Sequence, residues 1–331
     1  MLAIGGQVQR KDLHRATHQS TPSTEIMAPI TQYRAQIQDP NNISEIMANA
    51  FEASQDARKG AAFVSLPQDV DDAEVTEKPL PIYETPKMGP ADPNDLQKLV
   101  ELIKNSKMPV ILVGQRGADE EITTALRKLL GDYSLPVVET YQAAGVVSRD
   151  LEQQSYFGRI GLFRNQVGDQ LLQQSDLVIA VGYDPIEYEP RNWNKEGNLR
   201  IVNLDTLPAQ IDNHYTPIMQ LVGNIAISLT ELDKLLKGYE YPVAATEQLA
   251  KYKQELDQDK KIQVPTSNDA SHPLAVVHAI QENVTDDMHV ALDVGSHYIW
   301  MARHFRCYQP RHLLISNGMQ TLGVGLPWAM V

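Results

Sequence analysis

Between residues 95 and 240, short apolar runs alternate with segments whose apolar residues recur at helical spacing. The runs Pro109-Val-Ile-Leu-Val-Gly114 and Ser175-Asp-Leu-Val-Ile-Ala-Val-Gly182 end in glycine, and the segment 119–130 between them is amphipathic with acids in its first turn. Strands that are apolar on both faces and alternate with helices are typical of parallel sheets covered by helices on both sides. The sequence therefore predicts an α/β fold with doubly wound parallel sheets and a complete, Rossmann-like central domain at 95–240.

Two polar segments divide the rest of the chain. The segment 76–94 has five prolines between Pro79 and Pro93 and several acids, and the segment 241–272 is rich in lysine, glutamate and glutamine. Such compositions are typical of linkers. We expect a first domain at 1–75, with a strand at 2–4, a helix at 43–57 capped by Ser44 and a strand at 61–66. A third domain, at 273–331, would contain about two βα units.

The composition excludes several classes of protein. With 42 acidic and 29 basic residues the formal net charge is −13, so the chain lacks the basic stripe that neutralises nucleic-acid phosphates. No apolar run reaches the roughly 18 residues of a membrane span, and the N-terminus lacks the basic and apolar regions of a signal peptide. The single cysteine, Cys307, cannot form an internal disulfide. We expect a cytoplasmic protein with no nucleic-acid and no membrane partner.

Two glycine-containing turns near the C-terminus are the strongest candidates for a site. Asp293-Val-Gly-Ser-His297 and Ile315-Ser-Asn-Gly-Met-Gln-Thr-Leu-Gly-Val-Gly-Leu-Pro327 both follow apolar, strand-like runs. Parallel α/β sheets present backbone N–H groups to phosphate-bearing cofactors at such turns. A simple chain reversal would explain one glycine turn. Two at consecutive strand ends, with Ser296 and His297 as donors, favour a cofactor.

Other candidates have competing interpretations. The turn 114–117 could approach a nucleotide, but a strand-to-helix turn is favoured. Arg159 and Arg164 could hold an anion, although solvated surface charges are favoured. The loop 183–190 follows a strand and could equally be a ligand loop or a subunit contact. Three histidines are expected at the surface or in helix caps, namely His272, His278 and His289. No histidine or cysteine cluster has metal-ligand spacing, so no metal site is predicted.

At these residues the sequence resembles the thiamine-diphosphate enzymes of the acetohydroxyacid synthase group, most closely the catabolic, FAD-independent acetolactate synthases of bacteria. The resemblance extends over the whole chain. Its most specific parts are 293–301 and 315–328, and it is supported by Thr17-His-Gln-Ser20, Pro29-Ile-Thr-Gln-Tyr33, 63–70 and 176–188.

The resemblance implies a fold, a reaction and partners. Residues 1–75 would be the C-terminal part of a pyrimidine-binding domain, and 273–331 the N-terminal part of a diphosphate-binding domain. The implied reaction decarboxylates pyruvate on thiamine diphosphate and adds the resulting carbanion to a second pyruvate, giving 2-acetolactate and CO2 in acetoin formation. Mg²⁺ would hold the diphosphate. Chains of this family pair around the cofactor, so a homodimer or homotetramer is implied.

The resemblance also implies site residues by position. Three residues would face the diphosphate, namely Gly295, Ser296 and His297. Gln320 would offer its backbone carbonyl to the aminopyrimidine, and Leu322, or else Met319, would be the apolar wedge that bends the cofactor. Gln19 would line the substrate pocket. In flavin-dependent relatives a phenylalanine and paired aspartates lie where this chain has 183–188, so FAD is not expected.

Two parts of the family pattern lie outside the matched positions. The family's catalytic glutamate would lie upstream of Met1, and the Gly-Asp-Gly…Asn signature that holds Mg²⁺ would lie downstream of Val331, so no catalytic or metal-binding residue is assigned. We expect an internal fragment that has no synthase activity by itself in an acetoin assay. Two alternatives stay open: a pyruvate oxidase-like enzyme that uses FAD, and a non-catalytic nucleotide-binding or assembly module.

Overall fold

A computed structural model of the chain describes residues 1–81, 86–163, 165–260 and 272–331. It contains two compact units, Met1–Lys87 and Met88–Val331, called unit 1 and unit 2 below. Among the described residues, no helix combines the length and the apolar character needed to cross a bilayer. Residues 273–331 belong to the same unit as the central sheet, and the finer five-part division stays a prediction.

Unit 1 is a small parallel α/β sheet with helices packed on it. Its strands are β1 (Leu2–Gln7), β2 (Tyr33–Gln36) and β3 (Ala62–Pro67), and its helices are α1 (Ser23–Met27), α2 (Ile43–Gln55) and α3 (Gln68–Asp71). Strand β3 lies in the middle and pairs in parallel with β1 and β2. Its apolar side chains form the core with Ala50 of α2 and Ile37.

The predicted cap of α2 is wrong. The N-cap residue is Asn42, because a short 3-10 turn at Pro40–Asn42 leads directly into the helix. Ser44 lies inside the first turn, where its hydroxyl accepts a hydrogen bond from the backbone N–H of Leu80 at 2.8 Å.

Unit 2 contains the larger, central sheet and a separate pair of strands. Its strands are β4 (Pro109–Val113), β5 (Val137–Glu139), β6 (Tyr156–Arg159), β7 (Leu177–Val181), β8 (Ile201–Asp205), β9 (Met219–Val222), β10 (Val290–Leu292) and β11 (Leu313–Ile315). Its helices are α4 (Pro93–Asn105), α5 (Glu120–Tyr133), α6 (Glu152–Ser155), α7 (Val167–Gln174), α8 (Pro190–Trp193), α9 (Ile225–Leu235), α10 (Thr246–Lys260), α11 (Pro273–Asn283), α12 (Ser296–His304) and α13 (Gly325–Met330).

The central sheet confirms the predicted fold class. Its six strands run in the order β6-β5-β4-β7-β8-β9 and all neighbours are parallel. Successive residues of β4 enter different cores: Ile111 and Val113 pack in one cluster, Val110 and Leu112 in the other. Both faces of the sheet are therefore covered, as continuous apolar strands require.

Three strands were not predicted from the sequence, namely β2, β6 and β9. Strand β6 contains Gly158 at a φ of +94° and ends at a charged residue, so its sequence has no apolar run. Strands β2 and β9 are four residues long and partly exposed at the edges of their sheets. Short edge strands carry little of the apolar pattern from which strands are recognised.

The C-terminal part of unit 2 packs directly on the central sheet. Strands β10 and β11 form a parallel pair, flanked by α11, α12 and α13. Their apolar side chains share one core cluster with Tyr141, Ala144 and Leu162, which come from the loops after β5 and β6. This shared core fixes the C-terminal turns relative to the edge of the central sheet.

Candidate functional site

The two C-terminal glycine turns lie side by side. Strands β10 and β11 are in parallel register, with Leu292 opposite Ile315, so both turns leave the same end of the pair. The first turn passes through Gly295, at a φ of +155° and a ψ of 178°, and helix α12 begins at the next residue. The second turn, 316–324, leads into α13.

The carboxylate of Asp293 holds the two turns together. Its Oδ1 accepts hydrogen bonds from the backbone N–H groups of Val294 at 2.7 Å and Gly323 at 2.9 Å, and its Oδ2 accepts one from Gly325 at 3.1 Å. The hydrogen bond from Gly323, with those from the other two amides, lowers the pKa of Asp293 below its usual value.

We call the three hydrogen bonds to the Asp293 carboxylate the Asp293 clasp. Gly325 shows how closely the two turns approach each other in it. A Cβ added there would lie 2.9 Å from the backbone nitrogen of Asp293, so the second turn can approach the first only with glycine at this position. The role of Asp293 was not predicted, although an acidic residue placed directly after a strand is a signal that the sequence contains.

The residues expected to face a diphosphate lie in the open. Ser296 and His297 are exposed and form the first turn of α12. The first N–H groups of a helix have no acceptor within the helix, and the helix dipole favours an anion beside them. Gly295, Ser296 and His297 therefore form a group of donors, and their assignment to a cofactor stays a prediction.

The residues expected at the pyrimidine end are also accessible. Gln320 has a φ of +48°, and its side-chain amide donates to the hydroxyl of Tyr298 at 3.3 Å. Met319 and Leu322 are 87% and 73% exposed, so the choice of wedge between them stays open. Gln19 lies in unit 1, exposed, with a φ of +58°.

A cleft of 330 Å³ adjoins these turns. Tyr298 and Gln320 line it from the C-terminal segment, and Ile186 and Tyr188 line it from the loop after β7. Asn317 joins the two sides, because its amide nitrogen donates to the carbonyl of Glu187 at 2.8 Å. Of the two interpretations of the loop 183–190, this position favours the ligand loop.

Glu187 of that loop is buried and closes another turn. Its Oε1 accepts from the backbone N–H groups of Gln115 at 2.9 Å and Asp184 at 3.1 Å, and its Oε2 accepts from the hydroxyl of Thr140. Burial raises its pKa to about 7. A Cβ on Gly114 would lie 2.4 Å from the Cα of Tyr183. The turn 114–117 is thus packed against its own chain, as the strand-to-helix interpretation predicts.

The favoured interpretation of Arg159 is wrong. A solvated surface charge was favoured, but the residue is 3% exposed. Its Nε donates to Glu139 at 3.0 Å, and its Nη1 donates to the carbonyls of Ala302 and Phe305, both at 2.8 Å. The partners lie far away in sequence, so nothing local indicated burial. Arg164, considered together with it, lies outside the described residues.

Of the three histidines expected at the surface or in caps, His272 is the N-cap of α11, where its ring accepts from the backbone N–H of Leu274 at 3.2 Å. His289 stacks against His312, with ring centroids 3.9 Å apart. Within the described ranges, no group of three or more histidine, cysteine or acidic residues could hold a metal ion.

Comparison with protein families matches two regions. The description "Thiamine pyrophosphate enzyme, central domain" matches residues 96–232, which span β4 to β9. The description "Thiamine pyrophosphate enzyme, C-terminal TPP binding domain" matches residues 293–331, which begin at Asp293 and contain both glycine turns.

Comparison with individual proteins points the same way. The acetolactate synthase of Bacillus subtilis (strain 168) is 44% identical over 330 residues, covering 100% of this chain and 58% of the relative. The catabolic acetolactate synthase of Raoultella terrigena is 36% identical over 334 residues, covering 100% of this chain and 59% of the relative. The chain thus spans less than two thirds of these relatives. It belongs to the thiamine pyrophosphate enzymes and is similar to their acetolactate synthases.

Proposed function

We propose that this chain forms part of a thiamine diphosphate-dependent acetolactate synthase, which condenses two pyruvate molecules into 2-acetolactate and CO2. The observation that carries the proposal is the Asp293 clasp, which brings two glycine turns to one end of β10 and β11 within the region matched to a TPP-binding domain. The names of the two relatives support an acetolactate synthase, and the resemblance of the sequence supplies pyruvate as the substrate.

The geometry at Gly295 fits a diphosphate. A φ of +155° is strained for any residue with a side chain, and the exposed residues Ser296 and His297 follow at the start of a nine-residue helix. Because the chain carries a net charge of −13, local donors have to attract an anion against the overall field. Mg²⁺ is proposed from the family alone, since no ligand for it is assigned among the described residues.

At the other end of the cofactor, Gln320 would accept a hydrogen bond from the aminopyrimidine through its backbone carbonyl. Leu322, or else Met319, would pack against the bound cofactor as the apolar wedge that keeps it bent. Tyr298, buried beside Gln320, would keep that turn in place. Gln19 is proposed as a residue of the pyruvate pocket in a homodimer or homotetramer, on the resemblance alone.

When bound, thiamine diphosphate supplies the electron sink that decarboxylation of a 2-oxo acid needs. The residues of this chain bind and orient it, and the apolar side chains near Gln320 would exclude water from the reacting carbon.

We also propose that the enzyme works without FAD and in the cytoplasm. Glu187 and Tyr183 fill the space beside Gly114, where a bound nucleotide would need exposed amides. The single cysteine, Cys307, is buried and forms no disulfide, which suits a reducing compartment. A visible flavin spectrum in the purified protein would contradict the first proposal.

A chimera tests the reaction. The matched segment of the Bacillus subtilis relative is replaced by this chain, and pyruvate is added with thiamine diphosphate and Mg²⁺. We expect acetolactate, detected as acetoin after acid decarboxylation, and expect it to depend on both additions. Gly295→Ala should weaken thiamine diphosphate binding at least tenfold. Gly131→Ala is the matched control, because a Cβ there has open space. A folded chimera that binds the cofactor but oxidises pyruvate to acetate would refute the proposal.

A further inference from the structure

Helix α12 carries groups proposed for both ends of the cofactor. Ser296 and His297 form its first turn, and the hydroxyl of Tyr298 accepts from the side-chain amide of Gln320 at 3.3 Å. A rotation or shift of this helix would therefore move the diphosphate donors and the pyrimidine turn together. Because a preorganised site loses less free energy on binding, the residues that fix α12 affect the affinity for the cofactor.

The far end of α12 is held by Arg159. The last carbonyls of a helix have no donor within the helix. The carbonyl of Met301 accepts from the backbone N–H of Phe305 at 2.8 Å. Nη1 of Arg159 donates to the carbonyls of Ala302 and Phe305, both at 2.8 Å. A cation at this end also complements the helix dipole, so Arg159 provides both the hydrogen bonds and the charge that the helix end needs.

Arg159 is itself fixed by the central sheet. The register of β5 and β6 places Glu139 opposite Arg159, and Glu139 accepts from its Nε at 3.0 Å. Helix α7 packs on the backbone of Arg159, because a Cβ on Gly168 would lie 2.7 Å from the carbonyl oxygen of Arg159. The anchor of α12 is therefore built into the ends of two neighbouring strands.

The guanidinium group gives this anchor a direction. Buried ion pairs are weak evidence for stability, because desolvation offsets their attraction. A planar guanidinium, however, donates at fixed angles, and here one group joins a carboxylate of β5 to two carbonyls at the end of α12. A helix of nine residues is roughly 13 Å long, so a tilt at its last turn displaces Ser296 at its first.

We infer that Arg159 is a positioning residue of the cofactor site, which acts through α12 and does not contact the cofactor itself. The inference rests on the proposed function, since it assigns a role toward thiamine diphosphate. Loss of the two hydrogen bonds from Arg159 to α12 should weaken cofactor binding more than an equal loss of stability elsewhere in unit 2.

Arg159→Met tests this inference, and Arg127→Met is the matched control. Arg127 also joins the C-terminal part of unit 2 to the central part, since it donates to the carbonyl of Tyr308 at 2.7 Å, but its three acceptor carbonyls lie outside α12. Arg159→Met does not leave a buried carboxylate alone, because Glu139 keeps its contact with Nη1 of Arg306 at 3.5 Å.

Hydrogen exchange of the α12 amides is measured in this chain, at urea concentrations where the two variants have the same free energy of unfolding. We expect these amides to exchange about tenfold faster in Arg159→Met than in Arg127→Met. The Kd of thiamine diphosphate is measured by calorimetry in the chimera. It should rise about tenfold for Arg159→Met and less than about twofold for Arg127→Met. Equal exchange or equal affinity in the two variants overturns the inference.

Arg159→Lys decides the question if Arg159→Met does not fold. The lysine keeps the positive charge but lacks the planar fork, so the Kd and the exchange rates of α12 should each rise about threefold. Unchanged values of both overturn the inference. A wild-type chimera that binds no thiamine diphosphate would refute the proposed function and this inference together. Binding by the wild type that Arg159→Met leaves unchanged would refute the inference alone.

Discussion

Two turns in unit 2 start from the same local pattern, a glycine after a parallel strand, and end in opposite states. After β4, the amide of Gln115 donates to the buried carboxylate of Glu187 at 2.9 Å. After β10, Ser296 and His297 stay exposed at the start of α12. The difference lies in whether the chain supplies its own acceptor. A glycine turn predicts available N–H groups only where no carboxylate of the same chain has already taken them.

The charged side chains at the two turns show the same difference. Arg116 of the first turn donates to Asp205 at 2.7 Å and to the carbonyl of Tyr183 at 2.8 Å, so its charge is neutralised internally. At the second turn the acid is Asp293, which accepts from Gly323 and Gly325 and so joins the turns without covering Ser296. Glu187 thus binds an N–H group of its own turn, whereas Asp293 joins two turns and leaves Ser296 exposed.

Gly114→Ala should give the largest effect of a single change. The new Cβ would lie 2.4 Å from the Cα of Tyr183 and 2.7 Å from Oε1 of Glu187, and neither β7 nor the buried carboxylate can move away. We expect the free energy of unfolding to fall by roughly 3 kcal/mol or more in urea denaturation. Gly131→Ala, in an exposed part of α5 with open space around it, should instead raise it slightly, by about 0.5–1 kcal/mol. Similar stability of the two variants would mean that the first turn is not closed.

Glu187→Gln should change how stability depends on pH. Burial raises the pKa of Glu187 to about 7 from its usual value of 4.5, so the folded state binds its proton more tightly than the unfolded state does. Its contribution is therefore fully present below about pH 4.5 and is lost as the pH rises to about 7. The variant keeps an oxygen for Gln115 but cannot ionise. The stability difference between wild type and variant should change by roughly 3 kcal/mol between those limits.

The control for this experiment is Glu189→Gln in the same loop. Glu189 is exposed, and its side chain pairs with Arg191. Stability curves of wild type and this variant should run parallel across the same pH range. If Glu187→Gln also gives a parallel curve, the carboxylate is not sequestered, and the contrast between the two turns fails.

Asp293→Asn should loosen the open turn while leaving the closed one intact. An asparagine offers one acceptor oxygen instead of two, so the amide of Gly323 or of Gly325 loses its partner. Hydrogen exchange at these two amides should become faster, with no change at Gln115. Thiamine diphosphate affinity should fall about tenfold. In wild type, the lowered pKa of Asp293 means that the clasp is present above the ordinary carboxyl pKa and is lost as the pH falls through its folded value. Unchanged exchange at both amides would show that the clasp does not hold the turns.

Much of the scaffold could be predicted from local pattern alone. The amphipathic segment 119–130 is helical as its pattern predicts, since all but its first residue lies in α5 (Glu120–Tyr133), and the acids in the first turn, Glu120 and Glu121, are those that the helix dipole favours. The buried runs of β4 and β7 were equally clear. The burial of Arg159 could not be predicted, since its acceptors include the carbonyl of Ala302, 143 residues away. The closure of the turn at Gly114 depended in the same way on Glu187, 72 residues beyond Gln115.

The smallest effect on stability is expected for the two exposed candidates for the apolar wedge, which belong to the open, second turn. Leu322 and Met319 are 73% and 87% exposed, so Leu322→Ala and Met319→Ala should each change the free energy of unfolding by less than about 0.5 kcal/mol. If Leu322 presses against the cofactor, its truncation should weaken thiamine diphosphate binding about tenfold in calorimetry, and Met319→Ala should not. The reverse result would assign the wedge to Met319. Loss of stability without loss of affinity in either variant would mean that these side chains pack against the protein, and that the second turn is closed after all.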